Sequence, residues 1–145
     1  MQEEIKIAQV KPAEGSQASG LQFFETRLQA GFPSPVQGEY ADSIDLNRAL
    51  ITNPAATFCA RVIGNSMVDA GINEGDLLII DRSITPHDGS IAVCFLDGDF
   101  TVKRLSVRPD GVYLTPANAT FPEIPVGEDS SFQVWGVVSH IVKKL

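Results

Sequence analysis

From Thr57 onward the apolar positions fall in short runs rich in Val, Ile and Phe. Turn dipeptides separate them at regular spacing: Gly75-Asp76, Asp88-Gly89, Asp97-Gly98 and Asp110-Gly111. The clearest unit, "SIAVCFLDGDFTVKRLSV", reads as two strands joined by a two-residue Asp97-Gly98 turn, and "LSVRPDGVYLTP" repeats the device. The closing run "FQVWGVVSHIVKKL" is a long strand in which Gly136 allows a bend or bulge. Residues 56–145 are therefore expected to be mainly β, a twisted antiparallel set of hairpins or a partial barrel. In front of them Ser43 can cap one short helix through "IDLNRALI", with Ile44, Leu46, Leu50 and Ile51 as an imperfect apolar face and Asn53-Pro54 as its stop. Residues 1–40 hold the low-burial stretch "KPAEGSQASG", a small apolar patch at Leu21, Phe23, Phe24 and Leu28, and the proline-bearing "AGFPSPVQGEY". That composition predicts an N-terminal arm over 1–40, flexible or docked on a surface, ahead of a β-rich domain over 41–145.

Composition narrows the function classes. A chain of 145 residues is most simply one domain. Its net charge of −7 offers no basic field for a phosphate backbone, so direct sequence-specific DNA binding is not expected. The longest apolar runs, such as 76–80 and 134–138, fall far short of a membrane span, and "MQEEIKIAQVKPAEG" has no apolar signal core. A cytoplasmic protein is expected. Cys59 and Cys94 lie in strand-like stretches and make no C-x-x-C pair, which points to buried reduced thiols. Nothing in the pattern calls for a cofactor or a metal.

Candidate chemistry sits in "RVIGNSMVDAGINEGDLLIID", where a β-branched run ends in Gly64-Asn65-Ser66-Met67. Taken alone, Gly-Asn-Ser is ordinary turn chemistry. Alternation in "DFTVKRL" puts Phe100 and Val102 on one face and Thr101, Lys103 and Leu105 on the other; a lysine there would ordinarily snorkel to water. A serine becomes a nucleophile only when something takes its proton. Neither His87 nor His140 has a distinctive setting; His87 with an aspartate such as Asp88 leaves a Ser-His-Asp arrangement open, but the Gly-x-Ser-x-Gly elbow is absent because Val68 follows Met67. A lysine can replace histidine as the neutral amine. At the reference lysine pKa of ~10.4 only about one in 2,500 is neutral at pH 7, so such a base must be stripped of water, which disfavours the ammonium.

Ser66 and Lys103 stand 37 positions apart, inside "GNSM", "GDLLIIDRSIT" and "DGDFTVKRL". With "QAGFPSP", "IDLNRALITNPAATF" and "FQVWGVVSHIVK" in the same order, the chain from about Ala30 onward resembles the LexA/UmuD family of self-cleaving Ser-Lys peptidases, and most closely its UmuD-like branch. The resemblance implies the fold of the LexA-like C-terminal domain. It implies Ser66 as nucleophile, Lys103 as neutral general base, the Ser66 N–H as an oxyanion donor with a second amide unassigned, and the Ala30-Gly31 bond as substrate. Met67 is then packing. The resemblance also implies cleavage stimulated by a RecA-type filament on single-stranded DNA, a homodimer, and a trimmed form that joins a UmuC-like error-prone polymerase in SOS mutagenesis. A LexA-type repressor carries a helix-turn-helix domain before its cut site. Only 30 residues precede Gly31 here, so that alternative is expected to fail unless the chain is a fragment. A non-catalytic β interaction module, with Ser66 and Lys103 merely structural, is the remaining alternative.

Overall fold

The computed structural model describes residues 5–9, 21–24 and 40–145, with side chains from residue 43 onward. The Ala30-Gly31 bond lies outside the described residues. The chain divides into two compact units, Met1–Lys11 with Asn53–Leu145 and, separately, Pro12–Thr52.

The smaller unit carries strands β2 (Leu21–Phe24) and β3 (Tyr40–Ile44), paired antiparallel, and helix α1 (Leu46–Leu50). Ser43 is not the helix cap: it lies within β3, opposite Gln22. The cap is Asp45, whose side chain accepts from the Asn47 N–H at 3.0 Å, so the helix begins two residues later than the pattern predicts. A carboxylate satisfies an orphan amide at a helix N-terminus better than a serine still committed to a strand ladder. The helix is only five residues long and buries none of them; Leu46 is 48% exposed. Its apolar face is too short to drive burial.

The larger unit is an antiparallel sheet that curls into a half-barrel, as the turn spacing predicts. Its strands are β1 (Ile5–Gln9), β4 (Thr57–Val62), β5 (Leu77–Asp81), β6 (Ile91–Leu96), β7 (Asp99–Arg108), β8 (Gly111–Thr115), β9 (Ile124–Pro125) and β10 (Phe132–Val142). Their order is β1-β4-β5-β10-β6-β7-β8-β9. The β6–β7 hairpin closes through Asp97 and Gly98, with φ of 49° and 94°, the left-handed pair that a type I′ turn requires. In the next hairpin the two turn residues are Pro109 and Asp110, while Gly111 already opens β8 opposite Arg108. Proline presets φ for the first turn position, which moves the turn one residue ahead of the Asp-Gly pair. Strand β10 runs between β5 and β6 and shifts register twice, between Val134 and Gly136 and between Val138 and His140. The expected bulge near Gly136 is therefore present, with a second one beyond it.

Strand alternation gives the sheet two apolar faces. One packs Ala60, Val62, Leu78, Ile80, Val93 and Val102 with Met67 and Ile72; the other packs Ala92, Cys94, Leu105 and Leu114. On the first face Trp135 makes edge contacts with Phe58 and Phe100, and the Arg82 guanidinium lies 4.6 Å from its ring centroid.

The Gly75-Asp76 turn is locked from the far end of the chain. Asp76, 6% exposed, accepts from the Asn73 N–H at 2.8 Å and from the Lys143 ammonium beyond β10. Burial pushes the Asp76 carboxyl up, but the Asn73 N–H and the nearby Lys143 charge outweigh it and hold the group below its ordinary value. A carboxyl depressed in the folded state contributes stability above its unfolded pKa of ~3.9 and loses it as pH falls through the folded value. Asp76→Ala is expected to cost roughly 1–3 kcal/mol at pH 7, with the difference from the parent shrinking below about pH 4. Urea melts of both chains at pH 7 and at pH 3 measure this.

Candidate active site

Ser66 sits on the loop that follows β4. Gly64, with φ of 99°, turns the chain back on itself in a conformation that a side chain would strain. The segment Val68–Ala70 then forms one 3₁₀ turn. Between them Met67 is 2% exposed and packs into the first core face, so the residue after the serine anchors the loop. Two further bonds tie the loop to the segment after β8: the Asp69 N–H donates to the Ala117 carbonyl at 2.7 Å, and the Ala117 N–H to Met67 Sδ at 3.3 Å.

Lys103 comes from the middle of β7. The register places it opposite Ala92 and Thr101 opposite Cys94, on the face that carries Leu105. Instead of reaching water, its side chain turns inward. Lys103 is 5% exposed and Ser66 is 0% exposed. Nζ donates to Ser66 Oγ at 2.9 Å and to Thr101 Oγ1 at 2.9 Å. The fold thus brings together the hydroxyl and the amine in a setting from which bulk water is excluded. Such a pair can pass a proton directly, and a low local dielectric strengthens every polar contact made there.

Cys94 lies on the same face. Burial pushes its thiol up to about 12, partly opposed by the lysine, so at neutral pH it stays protonated and is a poor competitor as nucleophile. Burial also raises Cys59. Both cysteines are free thiols, as expected, Cys94 being buried and Cys59 half-buried.

The histidine alternative does not assemble. His87 is exposed, its Nδ1 lies 2.8 Å from the main-chain oxygen of Asp88, and the Asp88 carboxylate accepts instead from the Val107 N–H. His140 Nδ1 lies 2.9 Å from Ser139 Oγ. Among the described residues no carboxylate orients either ring as a triad base must be oriented. Among the described residues no group of three or more His, Cys, Asp or Glu gathers as a metal site, and no helix is long and apolar enough to cross a membrane.

The sequence pattern by itself gives Thr101 no role. Its signal was the two-residue spacing to Lys103, which puts both side chains on one face. The 115–120 segment that braces the serine loop carried no signal, because its contacts span about fifty residues.

Comparison with known proteins gives the family to which the chain belongs. The Peptidase S24-like family matches residues 22–139. The chain is 39% identical over 137 residues to protein MucA of Salmonella typhimurium, covering 94% of this chain and 93% of that one. It is 42% identical over 121 residues to protein ImpA of Escherichia coli, covering 83% and 82% of the two chains. A third relative, LexA repressor 2 of Pseudomonas syringae, is 34% identical over 118 residues, which is 81% of this chain but 58% of the repressor. With a family match over most of its length, and with most of MucA and of ImpA covered, the chain belongs to the Peptidase S24-like family.

Proposed function

We propose that the protein cuts its own chain between Ala30 and Gly31, with Ser66 as nucleophile and Lys103 as general base. The observation that carries this reading is the 2.9 Å contact between Lys103 Nζ and Ser66 Oγ, with both residues almost wholly buried. A neutral lysine amine has one lone pair and two N–H bonds. It can accept the Ser66 hydroxyl proton while one N–H remains on Thr101 Oγ1.

Ser66 Oγ attacks the Ala30 carbonyl carbon as its proton passes to Lys103 Nζ, and the carbonyl π pair moves onto oxygen. The Ser66 N–H donates to that oxyanion. Collapse breaks the Ala30–Gly31 C–N bond, and Lys103 returns the proton to the departing Gly31 nitrogen. Lys103 then deprotonates a water that attacks the acyl-serine, releasing the Ala30 carboxylate and restoring the hydroxyl. Small residues on both sides of the bond let it enter a narrow cleft. A substrate tethered to its own enzyme has a high effective concentration, so a restraint is needed.

The restraint, in this reading, is conformational: a RecA-type filament on single-stranded DNA binds the form with the scissile bond seated and shifts the population toward it. The trimmed chain pairs as a homodimer in the cytoplasm and serves as accessory subunit of a UmuC-like error-prone polymerase during SOS mutagenesis. Support comes from the resemblance of the quoted motifs to UmuD-like proteins and from the near full-length similarity to MucA.

Mass spectrometry of the purified chain, incubated from neutral to alkaline pH, tests the reading. One new N-terminus at Gly31 is expected, appearing faster as pH rises and faster with an activated filament, and not at all in Ser66→Ala. Cleavage that persists in Ser66→Ala ends the proposal.

A further inference from the structure

The Ser66 loop is held by a side chain that the proposed chemistry does not use. Asn118, on the segment after β8, donates from Nδ2 to the carbonyl oxygen of Asn65 at 2.9 Å. The other end of the same amide accepts from the Thr120 N–H at 3.0 Å and from Thr120 Oγ1 at 2.8 Å. A backbone N–H can only donate and a backbone carbonyl can only accept. The orientation of the Asn118 amide is therefore dictated from both ends: Oδ1 faces Thr120 and Nδ2 faces Asn65.

The carbonyl of Asn65 and the N–H of Ser66 belong to one planar trans peptide, in which the two bonds point in opposite directions. Pinning the oxygen on one side fixes where the N–H points on the other. The Asn65 oxygen also accepts from the Val68 N–H, at 3.4 Å, a longer bond than the one from Asn118. The neighbouring bonds from Asp69 to Ala117 and from Ala117 to Met67 Sδ brace the loop after the serine, while Asn118 braces it before.

We infer that Asn118 is a positioning residue for the oxyanion donor: its amide, locked by Thr120, holds the Asn65–Ser66 peptide plane so that the Ser66 N–H is already aimed where negative charge develops. The inference deepens the self-cleavage reading and rests on it for its rate consequence, but the orientation it asserts can be read without any cleavage. Preorganised donors contribute because they need no reorientation as charge appears, and a misaimed donor forfeits part of that.

The test uses the full chain with Asn118→Asp and Asn118→Ala. The aspartate keeps an oxygen for Thr120 and sets a second oxygen against the Asn65 carbonyl. Both variants are expected to self-cleave about ten- to hundredfold more slowly at the high-pH plateau. The pH of half-maximal rate should stay that of the parent, because the proton acceptor is untouched. Backbone ¹⁵N relaxation should show the Ser66 amide newly mobile, with Leu78 and Ile80 unchanged. Parent-like ordering of Ser66 in Asn118→Asp overturns the inference, whatever the chain does to itself. So does an unchanged plateau rate, or a rate loss accompanied by a displaced pH midpoint. If the amide loosens but the parent chain never cuts, the positioning stands and the proposed function falls.

Discussion

Lys103→Met is expected to leave a folded chain that no longer cuts itself, with the first-order rate of self-cleavage reduced by roughly 10⁴-fold or more. Methionine keeps the length and volume of the buried stem on the β7 face beside Ala92 and Leu105, so the packing there changes little. What disappears is the nitrogen 2.9 Å from Ser66 Oγ. Without it, attack would have to begin from an un-ionised hydroxyl. A thermal melt within a few degrees of the parent, combined with complete loss of the Gly31 N-terminus, is the expected pair of results. Because nucleophile and base act as one unit, the double variant Ser66→Ala, Lys103→Met should be no slower than either single one. Lys103→Met that still cleaves at a parent-like rate would remove the lysine from the mechanism. Unfolding of that variant would instead mark Lys103 as structural, the role a binding-only β module would assign to it.

The second large effect concerns stability. A Cβ at position 136 would lie 2.6 Å from Ile80 Cγ2 and 3.3 Å from Arg82 Cγ. Neither neighbour can yield easily. Ile80 is wholly buried on β5, which is clamped between β4 and β10. Arg82 is held by its Nε bond to the Trp135 carbonyl and by stacking on the Trp135 ring. Gly136→Ala should therefore destabilise the fold by about 2–3 kcal/mol, and Gly136→Val by more, through overpacking and not through backbone strain. Denaturant melts of the parent and both variants give the values; an alanine variant within about 0.5 kcal/mol of the parent would show that β10 can shift away from β5 at this bulge. The glycine at 136 thus marks a close approach of two strands, and the bulge beside it is the means by which β10 serves both β5 and β6.

These two residues show how unevenly the molecule can be read from its sequence. The strands from Thr57 onward, the Asp97-Gly98 hairpin and the division of β7 into two faces follow from alternation and turn chemistry, which act over a few residues. The helix start at Asp45 and the Pro109-Asp110 turn departed from expectation by one or two positions, because a competing cap and a proline decided the boundary. Ser66 and Lys103 were singled out by the resemblance of several ordered motifs. Their residue types alone favoured a surface turn and a solvated cation.

By itself the sequence determined a β-rich chain with its apolar positions at strand period, its tight turns, its acidic balance and the membership that its motifs announce. Only the tertiary structure decided that Lys103 turns inward to Ser66 and Thr101, that Asn118 grips the carbonyl before the serine, and that Gly136 must stay bare against Ile80. The reason is topological. Inserting β10 between β5 and β6 brings together residues dozens of positions apart, and such pairings depend on the register of the whole sheet, which no short stretch of sequence contains.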